Sequence, residues 1–232
     1  MTTSTAAGTS ISDHAYAELS RAIATCALPP GAPINERAEA ARLGMSRTPF
    51  RQALHRLALD GLIVAVPKRG TYVAPLDAGD IRDNMVVRAA LEADMARRLV
   101  TEGRPVDFAK LKRCIADQRT AARSGDWLTF LGLDEAFHLA ILEAAGNPRA
   151  TESARRAWIH VNRARYLMPM TTRQMLDAKR GHREILEGLI AADPERVQQA
   201  IARHLGKPLA RRLEELRGRL GAAFELIPGQ PA

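Results

Sequence analysis

The sequence predicts a mainly α-helical protein: a small N-terminal unit with a β-hairpin, followed by an antiparallel bundle of about six to seven helices. Three observations support this fold class. The 232-residue chain is 46% apolar, enough to bury a core, but only 4% aromatic. Its Ala-, Leu- and Arg-rich composition favours helix over sheet. Strand-like runs occur near residues 62–74, whereas helical periodicity extends from about residue 79 onward.

Three helices and a hairpin are predicted for the N-terminal unit. Leu19 and Ile23 belong to the apolar face of a first helix, which Pro29–Gly31 ends. Gly44 separates a short second helix from a third, for which Ser46 is the expected N-cap. The predicted elements are helices over 12–27, 36–43 and 46–60 and strands over 62–66 and 71–74, joined by the turn Pro67–Lys68–Arg69–Gly70.

The rest of the chain shows helical patterns separated by breaks that contain Gly or Pro. Helices are expected near 79–101, 106–124, 126–145, 148–168, 173–192 and 194–219. The predicted domain organisation is a disordered tail over 1–11, an N-terminal domain over 12–75, a linker over 76–80, a helical domain over 81–220 and a C-terminal tail over 221–232.

Positive charge is concentrated in one short segment. The chain has a formal net charge of +8, and five arginines lie between residues 37 and 56 against a single acid, Glu39. Such a local positive field predicts a nucleic-acid partner. The two cysteines lack C-x-x-C spacing, and the sequence has neither a signal-peptide pattern nor a long apolar run. We therefore expect a cytoplasmic protein with no membrane partner.

This basic segment has the pattern of a helix-turn-helix. A positioning helix, the Gly44 turn and a following helix that starts near Ser46 would direct the N-terminus of that helix into the major groove. Arg47 and Arg51 are four residues apart and share a face, and each offers paired donors to guanine or phosphate. The alternative is an ordinary basic surface helix, which the coincidence of turn, cap, proline and hairpin disfavours.

The same segment resembles the N-terminal domain of GntR-family transcription regulators, a winged helix-turn-helix that binds double-stranded operator DNA. The matching residues are Pro30–Gly31, Asn35–Glu36–Arg37, Ser46–Arg47–Thr48–Pro49, Arg51, Ala53–Leu54, Leu57, Gly61–Leu62 and Arg69–Gly70. The departures are Gln52, Phe50 and Glu39, the last at a site usually held by a buried Leu. The resemblance implies DNA contacts at Arg37, Arg47, Thr48, Arg51, Arg69 and Gly70, to which the helix N-terminus and the basic turn add Ser46 and Lys68.

One recognition helix reads only a few base pairs, too few for specificity. We therefore expect a homodimer on a palindromic operator, with most of the dimer contact supplied by the helical domain.

Four polar residues of the helical domain lie in step with apolar faces. Asp134 and His138 are four residues apart, so both point to one side of one helix. His182 and His204 continue the apolar stripes of two later segments. One carboxylate and three imidazoles from three helices could form a metal site with open positions. Taken singly, each histidine is better explained as a capped or surface residue.

The helical domain resembles the C-terminal domain of FadR-type regulators, called FCD. The matching residues are Val87–Arg88, Leu91–Glu92, Asp134, Phe137–His138, Ala145–Gly146–Asn147–Pro148, His182, Ile185–Leu186, Asp193 and His204–Leu205, whereas Gly181 departs from the Glu often found there. The resemblance to the metal-binding branch implies that Asp134, His138, His182 and His204 hold a divalent transition metal. Three imidazoles favour zinc, nickel or manganese over calcium.

An inward-facing arginine is expected in the same domain. Arg88 lies among apolar residues of its helix and would need an anion, either the carboxylate of an effector or Glu92 four residues on. Arg165 is a second candidate for effector binding.

Together these patterns predict a transcription regulator and not an enzyme. We expect a repressor that is controlled by a small organic acid bound at the metal. Two alternatives stay open at this point: a metallohydrolase fused to a DNA-binding domain, and a regulator with a purely structural metal.

Overall fold

The computed structural model describes residues 10–206, which fall into two compact units, residues 10–77 and 78–206. The predicted terminal tails, apart from residues 10–11, and the predicted last helix beyond residue 206 lie outside the described residues. Within residues 10–206, no helix combines the length and apolar character needed to cross a membrane.

Three helices and a small sheet make up the N-terminal unit. The elements in chain order are α1 (Ile11–Ala24), β1 (Pro33–Ile34), α2 (Glu36–Arg42), α3 (Arg47–Leu59), β2 (Ile63–Val66) and β3 (Gly70–Val73). Ser10 and Asp13 form a capping box at the start of α1. The side chain of Asn35 caps α2 by accepting from the backbone N–H of Arg37 and Ala38.

The sheet contains one strand more than the sequence predicted. Its order is β1-β3-β2, with antiparallel neighbours. Strand β1 has only two residues, too few for an alternation pattern, but it buries Ile34. Strands β2 and β3 form the predicted wing hairpin. Its last pair is Val66 with Gly70, and Lys68 in the connecting loop has a φ of +63°.

Six helices form the unit over residues 78–206. They are α4 (Ala78–Thr101), α5 (Phe108–Ser124), α6 (Trp127–Ala144), α7 (Pro148–Tyr166), α8 (Thr172–Ile190) and α9 (Pro194–Gly206). Five of them begin at a side chain that accepts from the first-turn backbone, as expected for N-caps. These caps are Asp107, Asp126, Asn147, Thr171 and Asp193.

Helix α4 packs against α6, α7 and α9, and α8 packs against α5, α6 and α9. Leu99, Phe137, Ile141 and Ile185 are among the side chains buried in their shared core. The mainly α fold class with a small wing is confirmed. The predicted linker over 76–80 differs from the structure, because α4 already begins at Ala78. The predicted start of the N-terminal domain at residue 12 likewise falls inside α1.

Candidate functional site

The four predicted metal ligands lie together. Asp134 and His138 come from α6, His182 from α8 and His204 from α9. Each offers one ligand atom, and these atoms all lie within 4.8 Å of one another. The first three side chains are almost fully buried and His204 is partly buried. The one-turn spacing on α6 brings Asp134 and His138 to the same side of the helix.

In two of the imidazoles, an outer side chain contacts the ring nitrogen that faces away from the cluster. Nδ1 of His182 lies 2.7 Å from Oε1 of Gln118, and Nδ1 of His138 lies 2.6 Å from Oε2 of Glu92. Their Nε2 atoms therefore face each other, 3.3 Å apart, and Oδ1 of Asp134 lies 3.3 Å from Nε2 of His182. This arrangement, in which an outer group contacts the far nitrogen of each ring, is typical of metal-binding histidines.

The protonation states suit a cation. Burial lowers the pKa of His182 to about 4. Burial, then the neighbouring imidazoles, lower the pKa of His204 well below its usual value. Burial alone would raise the pKa of Asp134, but the adjacent Arg165, together with His182 and His138, outweighs it and holds that pKa well below the usual range. At neutral pH His182 and His204 are therefore neutral and Asp134 is ionised, the forms that bind metal ions.

A glycine makes room for the fourth ligand. A Cβ placed on Gly181 of α8 would clash with the imidazole of His204. One heptad further, a Cβ on Gly188 would lie 3.1 Å from the backbone of Val197 on α9. The sequence indicated only that Gly181 departs from the Glu often found at this position of FCD domains. The structure gives it a steric role, because α8 and α9 approach closely where His204 enters the site.

The two predicted effector-binding arginines already have acidic partners. Nε of Arg88 donates to Oε1 of Glu92 at 2.5 Å, and both side chains are buried. The sequence left two partners open for Arg88, an effector carboxylate or Glu92, and in the structure the partner is Glu92. The Nη2 atom of Arg88 is buried and has no hydrogen-bond partner among the described residues. Nη1 of Arg165 lies 2.7 Å from Oδ2 of Asp134.

Two functional side chains near the site were not predicted from sequence. Gln118 on α5 contacts His182, and Trp158 on α7 donates from Nε1 to Oε1 of Glu92 at 2.7 Å. Glu92 itself was considered only as a partner for Arg88. The four-residue spacing between Arg88 and Glu92 indicates that these two pair. No local pattern in the sequence indicates that Glu92 also contacts His138.

The predicted DNA-contacting residues of the N-terminal unit are all exposed. They are Arg37, Ser46, Arg47, Thr48, Arg51, Lys68, Arg69 and Gly70. Ser46 occupies the N-cap position of α3, but its side chain makes no capping bond. Nε of Arg51 donates to Oε2 of Glu36 at 2.9 Å, a contact that joins α3 to α2 and that the sequence did not reveal.

Known protein families match both units of the chain. Residues 11–73 match the family described as "Bacterial regulatory proteins, gntR family", and residues 83–207 match the FCD domain. The HTH-type transcriptional repressor RspR of Escherichia coli is 29% identical over 84% of this chain and 86% of its own length. A protein of Paenarthrobacter nicotinovorans, named "Probable D-xylose utilization operon transcriptional repressor", is 32% identical over 79% of this chain and 80% of its own.

A solved structure shares the fold. Escherichia coli McbR/YncC superposes with a TM-score of 0.78 at 22% identity, over 89% of this chain and 99% of the other. The relatives are transcription regulators, not enzymes, which excludes the metallohydrolase alternative. From its matched domains and its relatives, this chain belongs to the GntR family of bacterial transcription regulators and carries an FCD domain.

Proposed function

We propose that this chain represses transcription by binding a palindromic operator as a homodimer, and that a small carboxylate metabolite controls this binding at a metal site. The metal would be held by Asp134, His138, His182 and His204, as in the metal-binding branch of FadR-type regulators. Relatives named as repressors support repression. One observation carries the metal proposal: four ligand atoms from three helices meet within 4.8 Å inside the bundle.

The residues present fit a metal ion. An ionised carboxylate accepts hydrogen bonds but donates none, and each neutral imidazole has one lone pair. With the Nδ1 atoms of His138 and His182 turned to Glu92 and Gln118, lone pairs and negative charge converge at the centre. Such a set of acceptors is unfavourable in a buried site unless a cation lies among them. Its nitrogen and oxygen donors suit zinc, nickel or manganese.

A carboxylate effector fits the cations that flank this cluster. Nη1 of Arg165 contacts Oδ2 of Asp134, and Arg88 has a buried Nη2 without a hydrogen-bond partner among the described residues. Both guanidinium groups could donate to a carboxylate that also occupies open positions on the metal. When bound, the metal would supply positive charge for that carboxylate. A purely structural metal is the remaining alternative.

The test combines metal analysis with operator binding. Purified protein should contain about one zinc, nickel or manganese ion per chain, and the His138→Ala/His182→Ala double variant should lose it. His160→Ala, a buried histidine of the same unit outside the cluster, should retain the metal. Titration of metal-loaded protein with small carboxylates should shift operator affinity. Retention of metal by the double variant would refute the site, and metal without any effector response would leave only the structural role.

A further inference from the structure

The carboxylate of Glu92 is surrounded by hydrogen-bond donors. Nε of Arg88 and Nε1 of Trp158 both donate to Oε1, at 2.5 and 2.7 Å. Neither group can accept a hydrogen bond, because guanidinium and indole nitrogens carry only donors. Because the buried guanidinium of Arg88 is its ion-pair partner, the carboxylate of Glu92 is ionised and carries no proton to donate.

The second oxygen of Glu92 faces His138. Oε2 lies 2.6 Å from Nδ1, and neither atom has another hydrogen-bond partner among the described residues. Since the carboxylate has no proton, a contact this short requires the hydrogen on Nδ1 of the imidazole. A neutral imidazole carries only one N–H, so its Nε2 must then hold the lone pair. That nitrogen is the one that lies 3.3 Å from Nε2 of His182, at the centre of the candidate metal site.

We propose that Glu92 is a positioning residue that fixes the tautomer of His138, so that Nε2 of His138 presents its lone pair to the metal. Arg88 and Trp158 hold Glu92 in place by occupying its other oxygen. This inference rests on the metal site proposed above. It adds a residue of α4, which carries none of the four ligands, to the outer shell of that site.

Gln118 has the same role for His182 without a charge. Its Oε1 lies 2.7 Å from Nδ1 of His182, and its Nε2 lies 3.8 Å from Sγ of Cys114. The thiol of Cys114 donates to the carbonyl of Leu133, which leaves the sulfur as the acceptor for the amide N–H. The amide oxygen therefore faces His182 and accepts from its Nδ1–H. Both outer partners direct an Nε2 lone pair to the same centre.

The substitution Glu92→Gln tests the assignment sharply. An amide has one oxygen and one NH2 group, and the two donors Arg88 and Trp158 retain the oxygen. The NH2 group then faces Nδ1 of His138, which must become the acceptor. The tautomer reverses and Nε2 acquires a hydrogen that points into the metal site. The expected result is about 10–100-fold weaker metal binding, the range usual for loss of an outer-shell partner.

Two readouts are needed, and the first requires no metal. In metal-free protein at pH 8, 15N NMR of the imidazoles should show the proton of His138 on Nδ1 in the wild type and on Nε2 in Glu92→Gln. The second readout is zinc affinity by calorimetry. Glu143→Gln is the control, because Glu143 lies on α6 with two of the proposed ligands but pairs with Arg155 at the surface, so its zinc affinity should stay at the wild-type value. Glu92→Asp retains an acceptor-only carboxylate and should keep the wild-type tautomer.

The outcomes separate this inference from the function on which it rests. A wild-type His138 that carries its proton on Nε2 overturns the inference even if Glu92→Gln fails to fold. Zinc affinity in Glu92→Gln equal to that of Glu143→Gln overturns it as well. A wild type that binds none of the three metals refutes the proposed function, whereas the tautomer measurement still decides the role of Glu92.

Discussion

Nη1 of Arg165 lies 2.7 Å from Oδ2 of Asp134, while Oδ1 of the same carboxylate faces Nε2 of His182 at 3.3 Å. The only carboxylate among the four candidate ligands thus has one oxygen directed at the metal position and the other at a guanidinium. The side chain of Arg165 is 12% exposed, so protein does not enclose it completely. Arg165 orients Asp134, and we propose that its remaining N–H donors bind an effector carboxylate.

The substitution Arg165→Gln should uncouple the effector from DNA binding. Glutamine can still donate to Oδ2 of Asp134, so we expect metal to be retained and operator affinity without effector to be unchanged. Loss of a charge-assisted hydrogen bond to the effector costs about 1.5–3 kcal/mol, which raises the effector concentration required by roughly 10–150-fold. Fluorescence anisotropy of labelled operator measures this shift. An unchanged effector response would remove Arg165 from the effector site.

The substitution Arg88→Leu should lower the free energy of unfolding. Because it is the buried counterion of Glu92 and lies over the ring of Trp158 at 4.2 Å, Arg88→Leu leaves a buried carboxylate without its cation. Removal of one partner of a buried pair typically costs about 3–5 kcal/mol of unfolding free energy. Urea unfolding of the helical unit measures this loss.

Arg98→Leu provides the control on the same helix. Arg98 pairs with Asp94 at the same four-residue spacing, but its side chain is 52% exposed. Exposed pairs contribute about 0–1 kcal/mol, so the Arg98 variant should unfold close to the wild type. Equal losses in the two variants would contradict the buried role of Arg88.

Metal-free protein should lose stability as the pH falls from about 6.5 to 4. Burial lowers the pKa of His182 to about 4, whereas an unfolded chain has the ordinary value near 6.5. Within this window the unfolded chain binds a proton that the folded chain does not, so the free energy of unfolding rises with pH and its full value is reached above about 6.5. The loss at the acid end is on the order of 3 kcal/mol.

His204 should also lower the free energy of unfolding as the pH falls, because its pKa in the folded protein is lowered too. Urea unfolding at several pH values measures the slope, and His182→Asn should flatten it. A wild-type slope in that variant would show that His182 is not the group responsible.

The sequence could single out those parts of the candidate site that follow a local pattern. Asp134 and His138 are one helical turn apart, and His182 and His204 each continue an apolar stripe, but the resemblance to the FCD domain was needed to favour a metal role over a capped or surface residue. The outer partners could not be identified in this way. Gln118 is 64 residues from His182, and Trp158 is 66 residues from Glu92, so only the packing of the helices brings these pairs together.

In the DNA-binding unit, Arg47→Ala should abolish specific operator binding without unfolding the protein. Arg47 is exposed on the first turn of α3, where a lost bidentate base contact costs about 1–3 kcal/mol, twice over in a dimer. Arg51→Ala should act similarly. Gel shifts with operator and with scrambled DNA measure specificity. Arg21→Ala, an exposed arginine of α1 paired with Glu18, is the control and should bind as the wild type does.

The wing should contribute affinity without sequence preference. Lys68 is exposed in the hairpin loop, and we expect it to contact phosphate. Lys68→Ala should therefore weaken binding to operator and to scrambled DNA by similar factors and reduce the salt dependence of both. Selective loss of operator binding in this variant would instead indicate base contact by the wing.

The dimer should involve the exposed apolar pair on α4. Val86 and Val87 are 68% and 46% exposed on the surface of the 78–206 unit, and Ala90 extends this apolar face by one turn. Neighbouring exposed apolar residues of this kind commonly mark a protein contact. The double substitution Val86→Asp/Val87→Asp should therefore shift the protein to monomers at micromolar concentration, as measured by light scattering. Operator affinity should fall with it, because a monomer reads only one half-site.

Ile190→Asp separates this effect from the general cost of removing an exposed apolar side chain. Ile190 is 52% exposed at the end of α8, and its substitution adds a charge to the same unit away from α4. We expect this variant to remain dimeric and to bind operator normally. A Val86→Asp/Val87→Asp protein that stays dimeric would move the interface elsewhere on the molecule. A wild type that is monomeric yet binds operator tightly and specifically would contradict the dimer itself, since one recognition helix would then have to supply all of the sequence discrimination.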